Sequence, residues 1–155
     1  GRAGADRENH ADPAMTAAPD IASLAPGDPM PVREFRPDTI QVFLYNAALW
    51  SAHKIHFDQA YATAVEGYPG LVVAGPLLGD WLTQCAVEWL GDSGRLVSFE
   101  YSNRKLSCVG DVLRSTGKVL SVDRIKGEAV LSLAILNQAD EVIAPGTAVV
   151  RFERG

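Results

Sequence analysis

At 155 residues the chain is long enough to bury one sizeable core, and 47% hydrophobic with 21% charged residues is the balance of an ordinary globular protein. A net charge of −5 removes nucleic acid from the expected partners, because phosphate binding needs a concentrated basic surface. Any anionic ligand must then rely on local Lys and Arg groups, and no apolar run approaches the roughly 18 residues of a membrane span, so no membrane partner is expected.

Residues 1–31 are rich in Ala, Gly, Pro and Asp, show no apolar periodicity and lack the apolar centre of a signal peptide. They are expected to form a disordered tail. Met15 is a candidate native start, which would make residues 1–14 an expression remnant. Ordered structure is expected from Val32 as a single domain over residues 32–155. Asp38 or Thr39 can cap a short helix or open a strand through Ile40, Val42, Leu44 and Tyr45, and periodicity does not choose between them. Residues 47–67 read as short helical turns, with Asp58 a cap for residues 59–65.

The clearest element spans residues 76–90. Gly75-Pro76 marks its start, since proline at the first helical position loses no needed hydrogen bond, and Gly91 marks its end. Leu77, Leu78, Trp81, Leu82, Cys85, Ala86, Trp89 and Leu90 cover most of its circumference, and Asp80, Gln84 and Glu88 form one narrow polar stripe. Such a helix must be wrapped by other structure on most sides.

Beyond it the period changes to two. Val97, Phe99 and Tyr101 alternate with Ser98, Glu100 and Ser102; Ala129, Leu131, Leu133 and Ile135 follow, then Ala148, Val150 and Phe152, with residues 112–122 as a further strand. The separators Val109-Gly110-Asp111 and 124–127 suggest an antiparallel meander. A long apolar helix followed by four strands implies an α+β hot-dog fold, an antiparallel sheet curled around its helix.

Cys85 and Cys108 each sit in an apolar stretch, with no Cys-x-x-Cys pair and no cysteine near His53 or His56. No zinc site is expected; buried free thiols in a reducing, cytoplasmic setting are. The segment Ser51-Ala52-His53-Lys54-Ile55-His56-Phe57-Asp58 precedes Val72-Val73-Ala74-Gly75-Pro76, where a strand is expected to meet the buried helix. Neutral imidazole can take a proton near pH 7. A glycine amide at a helix N-terminus can hold a developing negative charge.

This order of parts, completed by Val109-Gly110-Asp111, resembles the MaoC-like hydratases, or (R)-specific enoyl-CoA hydratases, over residues 35–152. The resemblance implies hydration of a 2-enoyl thioester or dehydration of a 3-hydroxyacyl thioester, carried on coenzyme A or acyl carrier protein, without a further cofactor. It implies His56 as the catalytic histidine, Gly75 as the oxyanion-hole glycine and Thr83 as a hydroxyl near the thioester. The family's usual acidic residue, five positions before the histidine, is Ser51 here, and the usual asparagine three before it is His53. That pattern resembles the branch acting on mesaconyl-type CoA esters and mitochondrial-type 3-hydroxyacyl thioesters, in which His53 would share the proton work. Hot-dog chains of this size resemble one another in pairing, so a homodimer or a hetero-oligomer with another hot-dog chain is expected.

Plainer roles stand beside these. Asp58 reads first as a cap, Trp50, Trp81 and Trp89 as core, and Arg104 and Lys105 as a solvated strand end whose functional alternative is contact with the phosphates of CoA. Two other functions remain open: a non-catalytic or half-site subunit, which Ser51 favours, and a thioesterase using Asp80 or Glu88 of the polar stripe.

Overall fold

The computed structural model describes residues 18–153. Its sheet is antiparallel and five-stranded, in the order β1-β3-β4-β5-β2, with β1 at Glu34–Phe35, β2 at Gly94–Tyr101, β3 at Leu113–Asp123, β4 at Glu128–Leu136 and β5 at Val142–Phe152. It curls around helix α2, Gly75–Leu90, which is the hot-dog arrangement. Leu77, Leu78, Trp81, Leu82, Cys85, Ala86 and Leu90 of α2 are buried in one cluster with Leu131, Leu133, Ile135, Ile143 and Val150 of the sheet. Trp81 stacks on Phe35, ring centroids 4.6 Å apart. The polar stripe stays outside: Asp80 accepts from the Tyr45 hydroxyl at 2.7 Å, and Glu88 pairs with Arg33.

The strands bend because their register shifts at Leu96/Ser98, Val119/Ser121 and Ile135/Leu136, and a bulge increases local twist. The first shift also overturns a sequence expectation. Leu96, Phe99 and Tyr101 pack on the core, while Val97 is exposed, because the extra residue resets the alternation.

The expected meander holds for β3, β4 and β5 only. β2 pairs with β5, so the segment around Val109-Gly110-Asp111 is no hairpin turn but part of a crossing from one sheet edge to the other. That crossing runs along the residues before α2. Val73 N–H donates to Ser107 O at 2.9 Å, Val109 N–H donates to Leu71 O at 2.8 Å, and Val72 bridges Cys108. The expected strand at 72–75 is therefore a single bridge.

The ambiguous stretch after Pro37 is a helix, α1, Thr39–Ala48, capped by Asp38, whose carboxylate accepts from Gln41 N–H at 2.7 Å. It ends with Trp50 N–H on Ala47 O and Ser51 N–H on Asn46 O, and Trp50 takes φ 54°, the position glycine usually holds. Trp50 is 94% exposed, so the expectation that it is core fails; its backbone turns the chain and its ring is left in solvent.

Residues 18–31 also depart from expectation. Leu24 and Met30 are buried, and Gly27 and Met30 N–H groups donate to Val119 O and Gly117 O at 2.8 and 2.9 Å. An aperiodic segment pairs here with the β3 edge, which supplies hydrogen bonds that composition does not reveal. The remainder of the expected tail, with Met15, lies outside the described residues.

Candidate active site

The histidine segment is held by a small second core. Ile55, Ala62, Leu71 and Val72 bury one another, and Val72 N–H donates to Ile55 O at 2.9 Å. Asp58 caps the following turn by accepting from Tyr61 N–H at 2.9 Å. His56 closes a short 3₁₀ turn, Lys54–His56, and its Nδ1 lies 2.8 Å from the Val72 carbonyl oxygen. A carbonyl only accepts, so Nδ1 carries a proton, and in the neutral ring the lone pair is then on Nε2. The half-buried ring thus has the tautomer of a base, fixed by the backbone that leads into α2.

His56, Val72, Gly75, Asn103, Arg104 and Lys105 line one cavity of about 290 Å³, with Leu78 and Ser107 among its other walls. Gly75 opens α2, and Ala74 before it has no side-chain cap, so the Gly75 amide is not consumed by a capping side chain. A Cβ at Gly75 would lie 2.2 Å from Asn103 Nδ2, so no larger residue fits without displacing that carboxamide. Among the described residues Arg104 has no carboxylate partner, whereas Lys105 is paired with Glu141. Hydrogen bonds from Lys105 and Asn137, with the Lys105 charge, hold the Glu141 carboxyl below its ordinary range.

The structure brings His56, Gly75, Arg104 and Lys105 together but not every candidate. His53 is exposed and does not line the cavity; its ring meets His56 edge-on, centroids 5.8 Å apart. Ser51 is half-buried outside the cavity, its N–H spent on ending α1. Thr83 donates its hydroxyl to Gly79 O at 3.0 Å, within its own helix. Asn103 and Ser107 are lining residues that sequence reading missed. A usable signal existed for Asn103: Gly75 and Gly79 lie one turn apart, and Tyr101 and Asn103 are two apart along an extended strand end.

Among the described residues no group of three or more His, Cys, Asp or Glu is placed to hold a metal ion, and no helix is long and apolar enough to cross a membrane. Cys85 and Cys108 are buried free thiols, and burial pushes both up from the ordinary thiol range.

A curled antiparallel sheet around one buried helix defines the hot-dog class, and in this chain a histidine and the helix-opening glycine share one cavity. Solved structures agree on the fold. The chain superposes on the (R)-hydratase from A. caviae with a TM-score of 0.76 at 22% identity, covering 84% of this chain and 98% of that one. A MaoC-like dehydratase gives 0.80 at 21%, over 88% and 43% of the two chains. The model of the family described as hydroxyacyl-thioester dehydratase type 2 matches residues 7–139, and the chain belongs to that family. Mesaconyl-C(4)-CoA hydratase of Chloroflexus aurantiacus is 41% identical over 73 residues, 47% of this chain and 26% of that protein. The mitochondrial hydroxyacyl-thioester dehydratase type 2 of Schizosaccharomyces pombe is 52% identical over 44 residues, 28% of this chain and 15% of that protein. The matched segments therefore span well under two thirds of either curated relative.

Proposed function

We propose that the chain hydrates a 2-enoyl thioester, or runs the reverse dehydration of a 3-hydroxyacyl thioester. The observation that carries this reading is the 2.8 Å contact between His56 Nδ1 and the Val72 carbonyl oxygen, beside a cavity that His56 lines. With Nδ1 committed to Val72, Nε2 is left to take a proton from a water in the cavity that Gly75 also lines. The water oxygen bonds to C3, the C2–C3 π pair moves toward the thioester carbonyl, and the Gly75 amide takes the resulting negative oxygen. The protonated His56 then returns a proton to C2, so atoms and charge balance without a metal or redox step. His56 acts alone at the cavity in this scheme; His53 sits behind it in solvent.

The thioester arrives on coenzyme A or acyl carrier protein, and of the two cations lining the cavity Arg104, with no carboxylate partner among the described residues, is placed to meet a carrier phosphate. The names of the family and of both curated relatives support the reaction class. Two buried free thiols support a reducing compartment, consistent with a cytoplasmic location. Assembly with a second hot-dog chain, the same or different, is supported by the outward face of α1, where Ile40, Phe43 and Leu44 are exposed one turn apart.

A second reading, a half-site subunit that needs an active partner chain, draws on Ser51, which cannot supply the usual carboxylate. The ChsH1-ChsH2 and HadBC complexes of Mycobacterium tuberculosis share this fold, with TM-scores of 0.74 and 0.63. The thioesterase reading has less to stand on, because Asp80 and Glu88 are engaged with Tyr45 and Arg33 and neither lines the cavity.

Crotonyl-CoA separates these readings. Loss of the enoyl absorbance without free thiol supports hydration, and released thiol means hydrolysis. An inactive wild type that gains hydration on Ser51→Asp would make the chain a degenerate subunit.

A further inference from the structure

We propose that Asn103 is a catalytic residue: its carboxamide N–H stands beside the Gly75 amide as a second donor to the thioester oxygen. The inference rests on the hydration reading and adds to it a group that the family resemblance does not supply.

The placement follows from how the end of β2 crosses α2. Past Tyr101 the chain stays extended along β5, with Ser102 N–H on Pro145 O at 3.0 Å and Arg104 N–H on Ile143 O at 2.8 Å. Residues two apart on an extended chain share a face, so Tyr101 and Asn103 both turn toward the helix. Two residues of extended chain advance roughly 6.5 Å and one helical turn roughly 5.4 Å, so the two side chains meet successive turns. Both meeting points are glycines. A Cβ at Gly79 would lie 2.5 Å from the Tyr101 ring, and one at Gly75 would lie 2.2 Å from Asn103 Nδ2. Tyr101 is wedged in place, stacked on Phe99 and with its hydroxyl 3.4 Å from Gly75 O.

Asn103 differs from Tyr101 in having an open side. Its residue is exposed, it lines the cavity with His56, and its carboxamide makes no hydrogen bond among the described residues. An amide held against the first residue of a helix, with unused donors and in the cavity that the base also lines, suits an oxygen that gains charge there. Packing alone would not call for an amide there.

The test uses purified full-length chain, wild type, Asn103→Ala and Asn103→Asp. Removing one oxyanion donor costs roughly 10²–10³-fold in kcat, and we expect that loss with KM and melting temperature little changed. Asn103→Asp should be no better, since a carboxylate only accepts. A turnover-independent readout uses 3-oxobutyryl-CoA, whose enolate absorbs in the near ultraviolet. Wild type should raise the enolate band on binding, and Asn103→Ala should lose most of that rise. If wild type raises the band through Asn103 but hydrates nothing, the hydration reading falls and the donor stands. If Asn103→Ala keeps the full band, or wild type raises none, the donor assignment is overturned.

Discussion

His56 Nδ1 and Gly75 Cα each have a single structural neighbour that matters, and both neighbours are testable. Gly75→Ala puts a methyl group where the Asn103 carboxamide lies, and backbone on that side cannot follow because Ser102 and Arg104 are pinned to β5. Alanine is itself a better helix former than glycine, so we expect a melting temperature near wild type with enoyl-CoA turnover reduced by more than tenfold. Equal turnover would show that the cavity tolerates a side chain at the helix start. The thiols give an independent check on burial. A thiolate is the reactive form, and burial raises Cys85 and Cys108 away from it. Both should therefore resist iodoacetamide at pH 8 in the native state and react on unfolding. The same shift binds protons more tightly in the folded state, so its contribution to stability is whole below the unfolded thiol pKa and is lost as pH rises from there through the raised folded value.

At the scale of elements, α2 carries the fold. Trp81 is buried in its middle and stacked on Phe35, so Trp81→Ala should cost about 3–5 kcal/mol and lower the melting temperature visibly. An unchanged transition would mean that the helix does not form the centre of the core. This helix was fully legible in sequence, because a wide apolar face bounded by Gly75-Pro76 and Gly91 has few other interpretations. The strands Glu128–Leu136 and Val142–Phe152 were legible from a period of two, and Leu113–Asp123 from its place between the other strands. What escaped was nonlocal. No spacing in residues 97–102 reveals that β2 joins β5, or that Val97 bulges outward. Nor does composition reveal that residues 18–31 line an edge. The candidate site divides the same way. His56 and Gly75 stand out as residue types in order, whereas Asn103 shows only as a spacing match to Gly75 and Gly79, which gains meaning once β2 is known to run past α2 along β5.

For the whole molecule, the exposed Ile40, Phe43 and Leu44 and the outer edge of β2, unpaired among the described residues, leave surface that a second hot-dog chain would cover. We expect sedimentation at micromolar concentration to give a dimer; a monomer would leave the half-site reading, with a different partner, as the surviving form of assembly. The chemistry in the cavity is decided by the rate of enoyl-CoA hydration by wild type, His53→Ala and His56→Ala under identical conditions. General-base catalysis by a placed side chain is worth about 10²–10⁴-fold. His56→Ala should lose that much while its melting temperature holds, and His53→Ala, exposed and away from the cavity wall, should lose far less. Hydration by wild type that His56→Ala leaves untouched would contradict the assignment of His56 as the base.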